Sequence, residues 1–139
     1  MITIEQYFRW PGHEPKLKPH EQHHTDTATD LLLRVNTMLA DLGWAYPIDP
    51  DTGCSISGNL GGAGDGGFRL LASTTGATWS QHKRAHAVDV YDPGNRLDNL
   101  LTDEILENYG LYREHPISTL GWCHLQDLPP GSKKRTFYP

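Results

Sequence analysis

Ser80-Gln81-His82-Lys83-Arg84-Ala85-His86-Ala87-Val88-Asp89-Val90-Tyr91-Asp92-Pro93-Gly94 is the stretch on which the reading of this chain turns. Ala87 to Tyr91 reads as a β-strand, and the Asp92-Pro93-Gly94 turn ends it. Side chains alternate along a strand, so Val88 and Val90 face away from Asp89. An ionised carboxylate in so apolar a segment costs several kcal/mol unless it is paired or bound to a metal. Asp89 therefore needs a partner. His82 stands seven residues earlier, and a turn over residues 83–86 would let the two side chains reach one point.

Further along, Trp122-Cys123-His124-Leu125 reads as a second strand, with His124 between two apolar neighbours. Two histidines and one carboxylate form a common catalytic zinc set that leaves the fourth position for water. Zinc brings the pKa of that water to about 7 and so makes a nucleophile at neutral pH. The residues alone leave other readings open. Asp89 can pair with Arg84 or Arg69, and a histidine in a strand is often an ordinary core or surface residue.

Around these segments the pattern predicts an α+β domain spanning 1–139, a small antiparallel sheet with flanking helices. Residues 25–42 are the clearest helix. Thr25 or Asp26 is placed to cap it, Leu31, Leu32, Val35, Met38, Leu39 and Leu42 form its apolar stripe, and Gly43 stops it. Short strands are expected at Trp44 to Ile48 and Cys54 to Ser57, and one helix from about Leu97 to Tyr109, closed by Gly110. The glycine-dense loop 58–67 lacks the lysine and hydroxyl of a phosphate-binding loop and reads as a flexible rim of the site. Residues 1–24 are expected to be irregular. Their histidines, His13, His20, His23 and His24, are unevenly spaced and broken by prolines, which argues against a metal tract. The tail from Pro129 reads as turn-like.

Composition limits the function classes. A chain of 139 residues builds one core. The net charge of -5 argues against a nucleic-acid binder, and the run Lys133-Lys134-Arg135 reads as a solvated tail. Cys54 and Cys123 are too few for a disulfide scaffold and are expected to be reduced thiols. No stretch has the length of a membrane span. The N-terminus lacks the pattern of a signal peptide, so the protein is expected to be cytoplasmic as synthesised. Oligomeric state is not legible.

Ser80-x-His82-x-x-Ala85-x-Ala87-x-Asp89 resembles the S-x-H-x-x-G-x-A-x-D signature of the zinc D-alanyl-D-alanine carboxypeptidase family, which includes phage endolysin peptidases and shares its fold with the Hedgehog signalling domain. Trp122-Cys123-His124 matches that family's W-x-H signature. Gly66-Gly67-Phe68-Arg69 is similar to its S-G-Y/F-R element, and the stretches from Val90, Gly110 and Gly121 look like those of phage-encoded members. The resemblance covers about residues 54–139. It implies a Hedgehog-like fold with Zn²⁺ on His82, Asp89 and His124, and Arg69 holding a substrate carboxylate or the developing oxyanion; a structural ion pair is the alternative for Arg69. It also gives Ser80 the task of setting the His82 turn and makes Trp122 a wall beside the metal.

The resemblance further implies a peptidase that cuts peptidoglycan stem peptides, as a carboxypeptidase or an endolysin-type endopeptidase, acting on the wall after release or carried in a phage virion. Two positions depart from the pattern. Ala85 replaces a glycine, and Gly121 occupies the slot, three residues before the last histidine, where many members place a glutamate general base. Glu114, on the loop of residues 114–120 expected to lead into the His124 strand, is the candidate to replace that base, and His115 the next. The Gly121 departure also motivates a competing expectation: a non-catalytic domain of the same fold that keeps the metal and binds murein or a virion partner.

Overall fold

In the computed structural model, residues 1–8, 23–59 and 66–139 are described. His13, His20 and residues 60–65 of the glycine-dense loop lie outside them. The elements are helix α1 (Ile4–Tyr7), helix α2 (His24–Asp41), a 3₁₀ turn (Gln81–Arg84), strand β1 (Ala87–Tyr91), helices α3 (Arg96–Leu100) and α4 (Asp103–Asn108), and strands β2 (Tyr112–Glu114), β3 (Trp122–Gln126) and β4 (Thr136–Phe137).

The strands form one sheet in the order β1-β3-β2-β4. β1 and β2 each pair antiparallel with β3, in registers that set Asp89 opposite His124 and Tyr112 opposite Gln126. β4 runs parallel to β2, so the sheet is mixed, where a purely antiparallel one was expected. The outer edge of β1 is also covered. Ile56 bridges Val90, the Tyr91 amide donates to the Ser55 carbonyl and the Ser57 amide to the Asp89 carbonyl, and the Asp89 amide donates to the Gly66 carbonyl. Cys54 to Ser57 thus lies along β1 through one isolated bridge rather than as a full strand.

Alternation sorts the sheet into two faces. Val88 and Val90 of β1 and Cys123 and Leu125 of β3 turn toward the core. There they meet the stripe of α2, where Ala28, Leu31, Leu32, Val35, Met38 and Leu39 are buried and Leu42 packs at the margin. The opposite face carries Asp89, His124 and Gln126. Both cysteines are buried, reduced and apart.

Several boundaries differ from the sequence reading. Residues 1–24 are not wholly irregular: a capping box between Thr3 and Gln6 starts α1. α2 begins at His24, and its flanking His23 makes no side-chain cap, so neither Thr25 nor Asp26 has that role. Trp44 to Ile48 forms no strand; an isolated Asp49–Cys54 bridge closes a turn instead. The helix expected at 97–109 is two helices. Leu101 is extended, and the Thr102 hydroxyl accepts the Ile105 N–H and starts α4 afresh. Asp92 anchors the front of α3, its two carboxylate oxygens accepting the Leu97 and Asp98 amides. Among the described residues no helix is long and apolar enough to cross a membrane.

Candidate metal centre

Each of the three predicted ligands is delivered by a different device. Asp89 stands at the middle of β1 and His124 faces it from β3. His82 comes from the 3₁₀ turn before β1. The Ser80 hydroxyl accepts the His82 amide at 3.3 Å and caps that turn, the task expected of it. The turn then reverses at Ala85, which holds φ +62° and is fully buried. That left-handed conformation explains why a glycine suits this position.

The three side chains are buried and meet. Asp89 Oδ1 lies 2.8 Å from His124 Nδ1 and 3.2 Å from His82 Nε2, and the two ring nitrogens are 3.3 Å apart. Ligands in a tetrahedral shell with bonds of about 2.0–2.1 Å sit about 3.3 Å from one another, so the triangle is of the size a small metal ion needs.

The hydrogen bonds behind the triangle fix which ring nitrogens carry protons. His82 Nδ1 lies 2.9 Å from the Gly67 carbonyl, which only accepts, so Nδ1 holds the hydrogen and Nε2 turns its lone pair inward. Gln126 Nε2 donates to the Leu128 carbonyl, which leaves Gln126 Oε1 to accept from His124 Nε2 at 2.9 Å. His124 Nδ1 therefore also faces inward as an acceptor. Two imidazole lone pairs and a carboxylate oxygen converge, and three acceptors can coexist so closely only around a proton or a cation. Outer hydrogen bonds of this kind are what orient metal-bound histidines.

The electrostatics favour a positive charge, a proton or a cation, at the centre of the triangle. Burial pushes the Asp89 carboxyl up, but His82 and His124 together pull it well below the usual carboxylate range. Burial also holds the His82 imidazole below its ordinary value, only partly offset by Asp89. For His124 burial acts downward, yet the hydrogen bond and charge of Asp89 and the charge of Glu114 outweigh it, and its pKa is raised. His82, Asp89 and His124 are thus a set that can hold a metal ion.

The other oxygen of Asp89 is held by protein. Asn59 Nδ2 donates to Oδ2 at 2.9 Å and Arg69 Nη2 at 3.4 Å. Arg69 Nη1 also lies 3.4 Å from the Thr75 carbonyl and from Ser80 Oγ. Arg69 is buried and makes the ion pair that was its alternative role, while also lining the cavity over the triangle.

That cavity, about 440 Å³, includes Glu114 and Trp122 in its wall. Glu114 follows the β2–β3 pairing by one residue, which sets it across from His124 on the same face. Asp89, His124, Glu114 and, on β4, Phe137 form one row across the sheet. Burial raises the Glu114 carboxyl above its ordinary value, and Asp89 adds to this while His124 opposes it. His115 is not brought to the site among the described residues: its ring stacks on Tyr138 at 4.6 Å and its Nδ1 accepts the Ile117 amide. Gly121 holds φ +94°, a conformation that disfavours any residue with a Cβ.

Sequence reasoning missed the supports. Gln126 was detectable, being two residues from His124 on the same strand face. The Gly67 carbonyl and Asn59 gave no such signal. Comparison with family models, with curated proteins and with solved structures finds no match to this chain.

Proposed function

We propose that this chain is a zinc-dependent peptidase that hydrolyses stem peptides of peptidoglycan, as a D-alanyl-D-alanine carboxypeptidase or an endolysin-type endopeptidase of the Hedgehog-like fold. The observation that carries the reading is the convergence of two inward-facing imidazole lone pairs and the Asp89 carboxylate in a cavity that Glu114 also lines. The signatures around Ser80 to Asp89 and Trp122 to His124 support the choice of bond class.

His82, Asp89 and His124 would hold the zinc. Bound there, zinc supplies a water of lowered pKa and polarises a carbonyl oxygen. Glu114 is the base on this reading. Its carboxylate takes a proton as the water oxygen bonds to the scissile carbonyl carbon. It returns that proton to the amide nitrogen as the C–N bond breaks. The Arg69 guanidinium, fixed by Asp89 and Ser80, favours the negative charge that develops on the carbonyl oxygen. Trp122 and Phe137 wall the cavity.

The competing reading, a metal-holding domain that binds murein without cutting it, draws on Gly121. Glu114 in the same cavity weighs against it, because a carboxylate is available from the neighbouring strand. The test is digestion of purified sacculi with mass analysis of the products. Protein with about one zinc per chain should release stem-peptide fragments, and His124→Ala should lose both metal and release. Natively prepared protein without metal, or undiminished release by His124→Ala, would overturn the proposal.

A further inference from the structure

Beside the metal cavity lies a second hollow of about 580 Å³, lined by Leu71, Thr78, Trp79, Ser80, Lys83 and Arg84. The two cavities share Trp79 and Ser80. Trp79 is 87% exposed and Leu71 58%, so two large apolar side chains of this hollow stand open to solvent, and Trp79 also borders the metal cavity. Exposed aromatic surface of this kind marks contact sites more often than ordinary surface does.

The charge of this hollow runs against that of the molecule. The chain carries a net -5, yet the lining holds two cations and no acid. Lys83 is buried, and its Nζ donates to the Ser73 carbonyl at 2.8 Å, which fixes the ammonium in place. Arg84 is exposed. A planar guanidinium beside an indole and an aliphatic side chain suits a ligand with an apolar stem and a carboxylate end.

We propose that this hollow is a specificity subsite for an acidic arm of the peptide substrate. The aliphatic part of that arm lies on Trp79 and Leu71, and its carboxylate meets Arg84 and Lys83, while the scissile bond lies in the metal cavity beyond Trp79. The inference rests on the peptidase reading for what the substrate is, but its test is one of binding.

The probes are two synthetic peptides that differ only in a glutamyl or a glutaminyl side chain, titrated by calorimetry into full-length Glu114→Gln protein. The glutamyl peptide should bind about tenfold more tightly, as one charge-assisted contact provides. Arg84→Gln, added to that background, should bring the two peptides within about twofold, and Arg84→Lys should restore part of the preference. Trp79→Ala should weaken both peptides alike. Equal or absent binding of the two peptides, or a preference that survives Arg84→Gln, overturns the proposal. Failure of the peptidase reading would look different: the wild-type chain would leave these peptides uncut, with the binding preference intact.

Discussion

Asp89 and His124 occupy facing positions on adjacent strands, and Oδ1 of the first lies 2.8 Å from Nδ1 of the second. The same carboxylate oxygen meets His82 at 3.2 Å. One atom therefore organises two histidines, and the opposite oxygen is left for Asn59 and Arg69. Strand pairing sets the first contact, so that half of the centre is held by the sheet, while His82 is held by the Ser80-capped turn.

Metal should stabilise the fold measurably. At a free zinc concentration about a thousand times Kd, binding adds about 4 kcal/mol, which for a chain of this size raises Tm by roughly 10 °C. Chelation should reverse the rise, and Asp89→Asn should abolish it. Scanning calorimetry with and without zinc decides the matter; an equal rise in Asp89→Asn would place the metal elsewhere.

Gln126→Ala should weaken zinc binding about 10–100-fold while leaving the three ligands in place, because the His124 ring loses the acceptor that orients it. Competition against a chromophoric chelator measures this. An unchanged affinity would mean that the β3 backbone alone suffices to aim His124.

Glu114→Gln keeps the shape of the side chain and removes its basicity. Turnover should fall about 10²–10⁴-fold, with zinc content near one per chain. Wild-type rates in this variant would remove Glu114 from the reaction.

Gly67→Ala should destabilise the protein by about 2–4 kcal/mol in urea unfolding. A Cβ at this position would collide with the Tyr7 carbonyl, which itself accepts the Phe68 amide, so the obstacle is backbone that cannot swing away. The same variant should bind zinc more weakly, since the Gly67 carbonyl steadies His82.

Asp98 sets an acid-side dependence away from the metal. Burial raises its carboxyl above the ordinary value, with Cys123, Asn95 and Arg113 only partly opposing. A carboxyl raised in the folded state contributes stability that is complete below its unfolded pKa, about 3.9. That contribution drains away as pH climbs through the folded value. The stability of wild type relative to Asp98→Asn should accordingly decline as pH rises from about 4. Parallel urea titrations at stepped pH read the slope, and two parallel lines would refute it.

Much of the site was legible because its signals are periodic or chemical. Asp89 amid valines announced a partnered carboxylate, and the α2 stripe and β1 stand where alternation and helical spacing put them. What escaped detection is what backbone does. β2 and β4 are three and two residues long, too short to show a period. They exist because β3 offers a free edge and β2 extends it. The break at Leu101 depends on a single threonine cap, and a carbonyl such as that of Gly67 has no letter of its own. Nor does any local pattern announce that Gly121 sits at φ +94°, an angle that disfavours any side chain at that position.

Strand β3 presents Trp122, His124 and Gln126 to the cavity and Cys123 and Leu125 to the interior. Cavity-facing and core-facing side chains are interleaved letter by letter on five residues. A single insertion or deletion there would send cysteine and leucine into the wet side and imidazole into the oily one, so neither task can drift in length without the other. Any lineage that keeps this centre must keep the spacing of β3 fixed, and variation in length is left to the connections at its ends.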